Sequence, residues 1–122
     1  EIKGVGCVYQ LPSYSPIKAG SDEMDKYDPN WNKTSYASRD NYWAGAKKAC
    51  DDIGMSLPDD SKLRSIYKAG KKDSSLGLPT FAWFWGSSEY GTSQADRVSF
   101  NDGLPSYGYK YDSYHKVLCV GD

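Results

Sequence analysis

Catalytic chemistry in this chain of 122 residues is limited by its one histidine, His115. A Ser-His-Asp or Cys-His site would have to use that imidazole as its base. His115 lies in a polar run near the C-terminal end, where we expect an exposed or interface side chain. A zinc site needs three or four His, Cys or acidic ligands, and the chain has neither a Cys-x-x-Cys pair nor a glycine-rich nucleotide-binding motif. We therefore predict no enzyme activity, no metal and no cofactor.

Acidic residues are the remaining candidates for polar chemistry. The pairs Asp51-Asp52 and Asp59-Asp60 stand where one predicted helix ends and the next begins, so we interpret them as solvated charges, with Asp59 or Asp60 complementing the dipole of the second helix. The segment 28–32, Asp-Pro-Asn-Trp-Asn, briefly resembles a calcium loop. Lys33 holds the glycine position of that loop and Arg39 the position of its bidentate glutamate, which favours a solvated turn.

The run from Tyr90 to His115 is rich in tyrosine, serine and glycine, with aspartate and asparagine between them. Antibody paratopes have this composition, because tyrosine gives a large contact area at low entropic cost and small polar residues give adaptable hydrogen bonds. The composition therefore indicates recognition. The alternative is that the tyrosines pack on half-buried faces of an antiparallel sheet. The tyrosines of the run are Tyr90, Tyr107, Tyr109, Tyr111 and Tyr114.

Three cysteines, Cys7, Cys50 and Cys119, predict one disulfide and one cysteine outside it if the protein is exported. Three reduced cysteines that act as small hydrophobic residues are the alternative.

Length and charge indicate a single domain over residues 1–122 without a nucleic-acid partner. The formal net charge is −1 and acidic and basic residues are interspersed, so no basic stripe suggests nucleic acid or a membrane surface. No run of 18 apolar residues is present. The sequence starts at Glu1 without a methionine, which fits a fragment whose export signal, or membrane or pilus anchor, lies outside it.

Two helices are predicted by apolar periodicity. The first has one apolar face, a start at Asp40 or Ser38 and an end at Gly54. The second runs from about Ser61 to Ala69 and stops at Gly70. We predict that Ser13 to Ser38 is irregular. The apolar face of the first helix comprises Tyr42, Ala46, Ala49, Cys50 and Ile53, and that of the second comprises Leu63, Ile66 and Tyr67.

The rest of the chain has residue patterns that are typical of β-strands. Asp102-Gly103 favours a turn in the last third. Tyr107, Tyr109 and Tyr111 alternate, and we predict that Tyr107 points inward together with Val98 and Phe100. A strand, two helices and then several antiparallel strands make an α+β domain. The predicted strands are Val5 to Tyr9, Phe81 to Trp85, Ala95 to Phe100 and Val117 to Val120.

This order of elements resembles the C-type-lectin-like fold, in which two helices accompany small antiparallel sheets and the termini pair. Within that fold the chain is most similar to bacterial domains of the formylglycine-generating type, through the segments 46–58 and 84–90 and the ending Leu118-Cys119-Val120. Gly86 departs from the family's Trp-Ser-Ser-Ser-Glu-Tyr signature. The resemblance implies a disulfide between Cys50 and Cys119 and leaves Cys7 outside it.

The resemblance does not carry an activity. The oxidase of that type needs reactive cysteines near the C-terminal end, where only Cys119 stands. The Glu-Pro-Asn, Gln-Pro-Asp and Trp-Asn-Asp motifs of calcium-dependent sugar-binding lectins are absent, since the nearest proline sequence is Leu104-Pro105-Ser106. Stacking of a tyrosine on a sugar ring remains physically open.

A narrower resemblance concerns residues 84–120. They are similar to the variable region of bacterial proteins diversified by retroelements, some of which sit on pilin-like stalks. There, mutated asparagine-type codons yield Tyr, Ser, Gly, Asp, Thr, His, Leu and Ala, and this run is drawn largely from that set. Val98, Phe100 and Lys110 would be scaffold.

We therefore expect a cell-surface or extracellular domain that binds a protein or glycan ligand. The alternative is a structural subunit of the minor pilin type. The expected site combines the loop from Gly91 to Asp96 with the strands through Ser99, through Ser106 to Tyr111 and through Tyr114 to His115. The candidate ligand-binding residues are Tyr90, Gly91, Thr92, Ser93, Asp96, Ser99, Leu104, Ser106, Gly108, Tyr109, Tyr111, Asp112, Ser113 and His115.

Overall fold

The computed structural model describes residues 2–121, which form an α+β domain as predicted. Two short 3₁₀ helices, Pro29–Lys33 and Ser74–Leu76, accompany the main elements. No helix within residues 2–121 is long and apolar enough to cross a membrane. The helices are α1 (Glu23–Tyr27), α2 (Tyr42–Asp52) and α3 (Asp60–Lys72), and the strands are β1 (Cys7–Gln10), β2 (Trp83–Tyr90), β3 (Gln94–Ser99), β4 (Pro105–Tyr109) and β5 (Leu118–Gly121).

Two antiparallel sheets organise the chain. Strands β1 and β5 pair with Val8 opposite Val120, so the two ends of the described chain lie side by side as predicted. Strands β2, β3 and β4 form a three-stranded sheet in chain order. Strand β2 continues past the predicted end at Trp85 to Tyr90, with a bulge between Trp85 and Glu89.

Helix α2 is capped by Asn41 rather than by Asp40 or Ser38. The Asn41 side chain accepts a hydrogen bond from the Ala44 backbone N–H at 2.8 Å, which satisfies a donor of the first turn. The Asp40 carboxylate accepts instead from Lys18 Nζ, an earlier residue that lies beside it. With Asn41 as its cap, α2 begins at Tyr42, one residue later than a cap at Asp40 would place its start.

The buried face of α2 includes Trp43, Ala46 and Cys50. Ile53 was predicted to join that face, but it is 47% exposed. The reason is that α2 ends at Asp52, so Ile53 has left the helical register that would have turned it inward.

Helix α3 is capped by Asp59, whose carboxylate accepts from the Lys62 backbone N–H at 2.8 Å. The predicted stop at Gly70 is wrong, since the helix continues to Lys72. A Cβ on Gly70 would lie 3.2 Å from the Leu78 Cβ, so glycine here permits close packing rather than ending the helix.

The stretch from Ser13 to Ser38 is more ordered than predicted, because it contains α1 and the first 3₁₀ helix. Met24 and Trp31 of this stretch are fully buried. Each helical piece is only five residues long, which is too short to show a helical period in the sequence.

The three-stranded sheet lies between two layers of core. Trp85 and Ala95 pack in the cluster that contains Cys50 of α2, whereas Phe84 and Val98 pack with Ile66 of α3. Adjacent strand residues thus serve opposite faces, as the pleat requires.

A disulfide joins Cys50 of α2 to Cys119 of β5, which confirms the pairing implied by the lectin-like resemblance. It closes a loop with a sequence separation of 69, which stabilises the fold by about 4 kcal/mol in the chain-entropy model.

A buried ion pair joins the long N-terminal stretch to the C-terminal polar run. Lys110 Nζ lies 2.9 Å from Asp28 Oδ2, and both side chains are fully buried. Asn41 Nδ2 donates to the same Asp28 oxygen at 2.7 Å, while Lys110 Nζ also donates to the Thr92 carbonyl at 2.9 Å and lies 3.6 Å from a Glu89 oxygen. The interpretation of Asp28 as part of a solvated turn is therefore wrong, and the expectation that Lys110 is scaffold fits its burial.

We expect Lys110→Met to lower the free energy of unfolding by about 3–5 kcal/mol, because it leaves the Asp28 carboxylate buried without its counter-charge. Urea unfolding at neutral pH measures the loss. The double variant Lys110→Met/Asp28→Asn removes both charges and should recover part of the stability. A single variant that loses less than about 1 kcal/mol would show that the pair does not hold the fold.

Candidate ligand-binding surface

Three strands bring tyrosines together at one end of the larger sheet. Tyr90 lies opposite Gln94, and Gln94 lies opposite Tyr109, while Tyr107 lies opposite Asp96. Because side chains alternate along a strand, these residues share the face that farther along packs on α3. The three tyrosines lie at the end of the sheet where that face is exposed to solvent.

Tyr90 and Tyr107 form a stacked pair. Their ring centroids are 3.7 Å apart with an interplanar angle of 15°, and the residues are 52% and 46% exposed. The prediction that Tyr107 points inward is wrong. Tyr107 and Pro105 lie on the same side of the sheet as the buried Val98, but both are exposed, because α3 packs mainly on β2 and β3 and leaves this side of the edge strand β4 uncovered.

The tyrosines continue around the edge of strand β4. Tyr109 and Tyr111 stack at 5.2 Å between ring centroids, and Tyr36 lies 5.9 Å from the first and 5.1 Å from the second. The Arg39 guanidinium carbon lies 3.7 Å above the Tyr111 ring centre, a cation–π geometry. We call Tyr36, Tyr90, Tyr107, Tyr109 and Tyr111 the tyrosine face.

Tyr36 and Arg39 were not found from the sequence. They follow the first 3₁₀ helix in a stretch with no period, and only its tertiary packing brings them to Tyr111. Tyr111 itself is half-buried and packs against the core cluster around Trp31, so it belongs to both the face and the core.

Lys110 fixes the turn between β2 and β3 through hydrogen bonds to its backbone. Gly91 has a positive φ of 69°, which suits glycine, and the turn spans Gly91 to Ser93 rather than reaching Asp96. The Lys110 backbone N–H donates to the Ser93 carbonyl at 3.0 Å, and its ammonium holds the Thr92 carbonyl. The turn therefore exposes Gly91 and Thr92 on an anchored backbone.

Asp96 is a half-buried carboxylate beside the stacked pair. Burial raises the pKa of Asp96, and the nearby Asp60 and Asp59 raise it further. The missing side chain of Gly86 makes room for it, since a Cβ on Gly86 would lie 2.9 Å from the Asp96 Cβ. The close approach of Asp96 accounts for glycine at the position that departs from the family signature. The Gly86 carbonyl accepts from the buried Trp43 indole at 2.7 Å.

The opposite side of the sheet end carries an arginine cluster formed by Trp83, Arg97, Ser106, Tyr114 and His115. The Arg97 guanidinium carbon lies 3.7 Å above the Trp83 ring centre. Arg97 Nη1 donates to the Tyr114 hydroxyl at 2.9 Å and lies 3.3 Å from His115 Nε2. Ser106 is the cross-strand partner of Arg97.

His115 is buried, with 3% exposure, so the expectation of an exposed or interface histidine is wrong. Its ring stacks on Trp85 at 3.8 Å between centroids and on Tyr114 at 4.5 Å. Burial, together with the neighbouring Arg97 charge, lowers the pKa of His115 to about 3. The imidazole is thus a neutral packing group at physiological pH.

Tyr14 was also missed by sequence reasoning and positions this segment. Its hydroxyl donates to the His115 carbonyl at 3.0 Å and accepts from the Trp85 indole at 3.2 Å. Burial raises the pKa of Tyr14 to about 12, so the hydroxyl keeps its proton for the first of these bonds.

The residues predicted as one surface are therefore divided. Ser99 and Gly108 are buried, as is His115, so these three are not displayed. Leu104 is exposed near the turn between β3 and β4. The exposed Ser113 lines an open groove of about 420 Å³ with Arg39 and Tyr111, and Asp112 accepts from the Tyr114 hydroxyl at 3.3 Å. The tyrosine face is the part that remains a candidate site: it includes Tyr90, Tyr109 and Tyr111, with Asp96 beside it and Gly91, Thr92 and Ser93 in the adjoining turn.

Within residues 2–121, no group of three His, Cys, Asp or Glu side chains is placed to hold a metal ion.

No protein-family model matches this chain, and a search of curated proteins finds no match either.

Gly108 and His115 should be energetically coupled. A Cβ on Gly108 would lie 2.8 Å from His115 Nε2 and 3.1 Å from the Arg97 Cδ. We expect Gly108→Ala to lower the free energy of unfolding by about 1–3 kcal/mol through overpacking. The same change should cost at least about 1 kcal/mol less in a His115→Ala background, which a double-mutant cycle by urea unfolding measures. Additive effects would contradict the contact.

Proposed function

We propose that this chain is a ligand-recognition domain whose tyrosine face binds a protein partner. The observation that carries the proposal is the stacked Tyr90–Tyr107 pair, which lies half exposed at the end of a sheet that is otherwise built into the core. Large aromatic side chains are the commonest energetic anchors of interfaces and contribute about 2 kcal/mol or more each when they become fully buried.

Pre-organisation supports this role. Each ring of the pair already rests against the other, and the neighbouring Tyr109 rests against Tyr111 and Tyr36. Binding would therefore order few additional side-chain rotamers, which lowers the entropic cost of association. The tyrosines spread across two strands and the edge of the sheet, and this extent suits a protein surface. A glycan that stacks on one ring is the other ligand class to test.

We propose a C-type-lectin-like fold as the frame of this surface. Two features support it: β1 and β5 pair at the ends of the chain, and Cys50 of α2 is bonded to Cys119 of β5. The disulfide also supports a cell-surface or extracellular location, because such bonds persist in oxidising compartments.

We further propose that residues 84–120 vary between related copies of the gene. Support comes from the distribution of burial. Val98, Phe100 and Lys110, the positions assigned to scaffold, are fully buried. Of the positions expected to vary, Thr92, Leu104 and Tyr109 are exposed, whereas Ser99, Gly108 and His115 are buried. A chain organised in this way can change its contact residues without changing its core.

We expect Tyr90→Ser/Tyr107→Ser to weaken ligand binding at least about 100-fold while the domain stays folded, since two interface anchors are lost. The probes are a phage-displayed random peptide library and a glycan array, and the binders selected with the wild-type domain are titrated by calorimetry. Thermal unfolding checks the fold. Tyr9→Ser is the matched control, because Tyr9 is 49% exposed on β1.

Two outcomes would contradict the proposal. One is that the selected binders are insensitive to the double variant. The other is that the double variant unfolds, which would make these rings part of the core. If no binder is selected and the full-length protein assembles into filaments through this face, the structural subunit of the minor pilin type is the better account.

Diversification by a retroelement predicts a genomic arrangement. The codons from Phe84 to Val120 should have a near-copy close by, with adenines at the bases where the gene differs from it, together with a reverse transcriptase gene. Sequencing the flanking DNA checks this. The differences should fall at positions such as Thr92, Leu104 and Tyr109 and spare Val98 and Phe100. Absence of both the copy and the reverse transcriptase would disprove diversification and leave the binding proposal standing.

A further inference from the structure

The tyrosine face has an acidic side. Asp96 lies opposite Tyr107 in the register of β3 and β4, so the two side chains leave the same face of the sheet. Its carboxylate is half-buried, and within residues 2–121 neither a hydrogen-bond donor nor a basic side chain pairs with it. An unpaired carboxylate that has lost part of its hydration is a group that gains from an incoming cation.

Two more carboxylates reinforce this charge. Asp59 and Asp60 begin α3 and lie close enough to raise the pKa of Asp96. The Asp59 carboxylate caps the helix through the Lys62 backbone N–H, but no lysine or arginine among residues 2–121 forms an ion pair with Asp59 or Asp60. The side of the face next to Tyr107 is therefore negative.

The other charges near the face do not cancel this field. Glu89 lies on the opposite side of the sheet, where its carboxylate accepts a hydrogen bond from Asn30 Nδ2 and lies near Lys110. Arg39 is at the far edge, over the Tyr111 ring. Among residues 2–121, the face thus has the Asp96 carboxylate on the side of Tyr107 and the Arg39 guanidinium over Tyr111. A partner that covers the face gains most when it places a positive charge beside Tyr107.

We propose that the partner of the tyrosine face is a basic protein segment that sets an arginine side chain against Tyr107 and Asp96. This inference rests on the proposed function and names the chemistry of its partner. Arginine fits better than lysine because a planar guanidinium stacks on an aromatic ring and at the same time donates two hydrogen bonds to a carboxylate.

The domain already uses this contact twice within itself. Arg39 stacks on Tyr111 and Arg97 stacks on Trp83, each with the guanidinium carbon 3.7 Å from the ring centre. An arginine from a partner would make a third contact of the same kind, with a carboxylate that the first two do not have. Complementary charge of this type also speeds association and makes it sensitive to salt.

The test uses two probes. N-acetyl-arginine methylamide is titrated into the isotopically labelled domain by NMR, with the neutral isostere N-acetyl-citrulline methylamide as its control. We expect saturable shifts at Asp96, Tyr107 and Tyr90, with the citrulline compound at least about tenfold weaker, because it keeps the shape and loses the charge. The random peptide library gives the second probe, and peptides that need Tyr90 and Tyr107 should be enriched in arginine.

Asp96→Asn should weaken both probes about tenfold or more, since it removes one charge-assisted pair. It should leave thermal stability unchanged or slightly higher because Asp96 has no partner in the free domain. Asp22→Asn makes the same charge change at an exposed position away from the sheet and is the matched control. Asp59→Asn keeps the helix cap and should weaken binding by only about two- to threefold, through charge alone.

Failure of the basic-partner proposal and failure of the proposed function would give different experimental results. Peptides that depend on Tyr90 and Tyr107 but lack arginine and ignore Asp96→Asn would overturn the basic partner and leave the binding function intact. A glycan or a second copy of this chain as the occupant would overturn it as well. Equal binding of the arginine and citrulline compounds would show that charge plays no part. Loss of all dependence on Tyr90 and Tyr107 would instead overturn the proposed function.

Discussion

The buried ion pair between Lys110 and Asp28 is the interaction on which the rest of the structure depends. A lysine and an aspartate without solvent contact are costly to bury, and further hydrogen bonds offset part of that cost. Here the ammonium also holds the Thr92 carbonyl, and Asn41 donates to Oδ2 of the carboxylate, while Oδ1 is buried without a partner. Asn41 in turn caps α2. One polar centre thereby connects the long N-terminal stretch, the first large helix, the turn of the sheet and the strand that bears the tyrosines.

This centre explains how a polar, tyrosine-rich run can be part of a stable fold. The tyrosines need no packing of their own to hold β4 in place, because the next residue after Tyr109 is tied to the core through both its backbone and its side chain. The Lys110 carbonyl also accepts from the backbone N–H groups of Tyr42 and Trp43. The strand therefore reaches solvent with a fixed backbone, and its aromatic rings are presented in a defined arrangement.

The spacing of apolar residues in the sequence predicted the helices and strands that are determined by neighbouring residues. The period of apolar residues located α2 and α3, and alternation located β3, which buries Val98 and leads into the buried Phe100. The same reasoning failed where distant segments decide the outcome. The local sequence around Asp28 predicts a turn, but in the fold Asp28 pairs with Lys110. The local sequence around His115 predicts an exposed side chain, but the missing side chain of Gly108 leaves space for the imidazole ring. Tyr36 and Arg39 join the candidate site through packing alone.

The two sides of the sheet end differ in how freely they can change. On the tyrosine face, Tyr90 and Tyr107 contact each other and solvent, so a smaller side chain at either position removes contact area without opening a cavity in the core. On the arginine side, Gly108 and His115 fill one volume, and a change at either position forces an adjustment at the other. If evolution varies this run, changes on the first side therefore leave the core packing intact, whereas changes on the second side are correlated with one another. The capacity to acquire new ligands is concentrated on the tyrosine face.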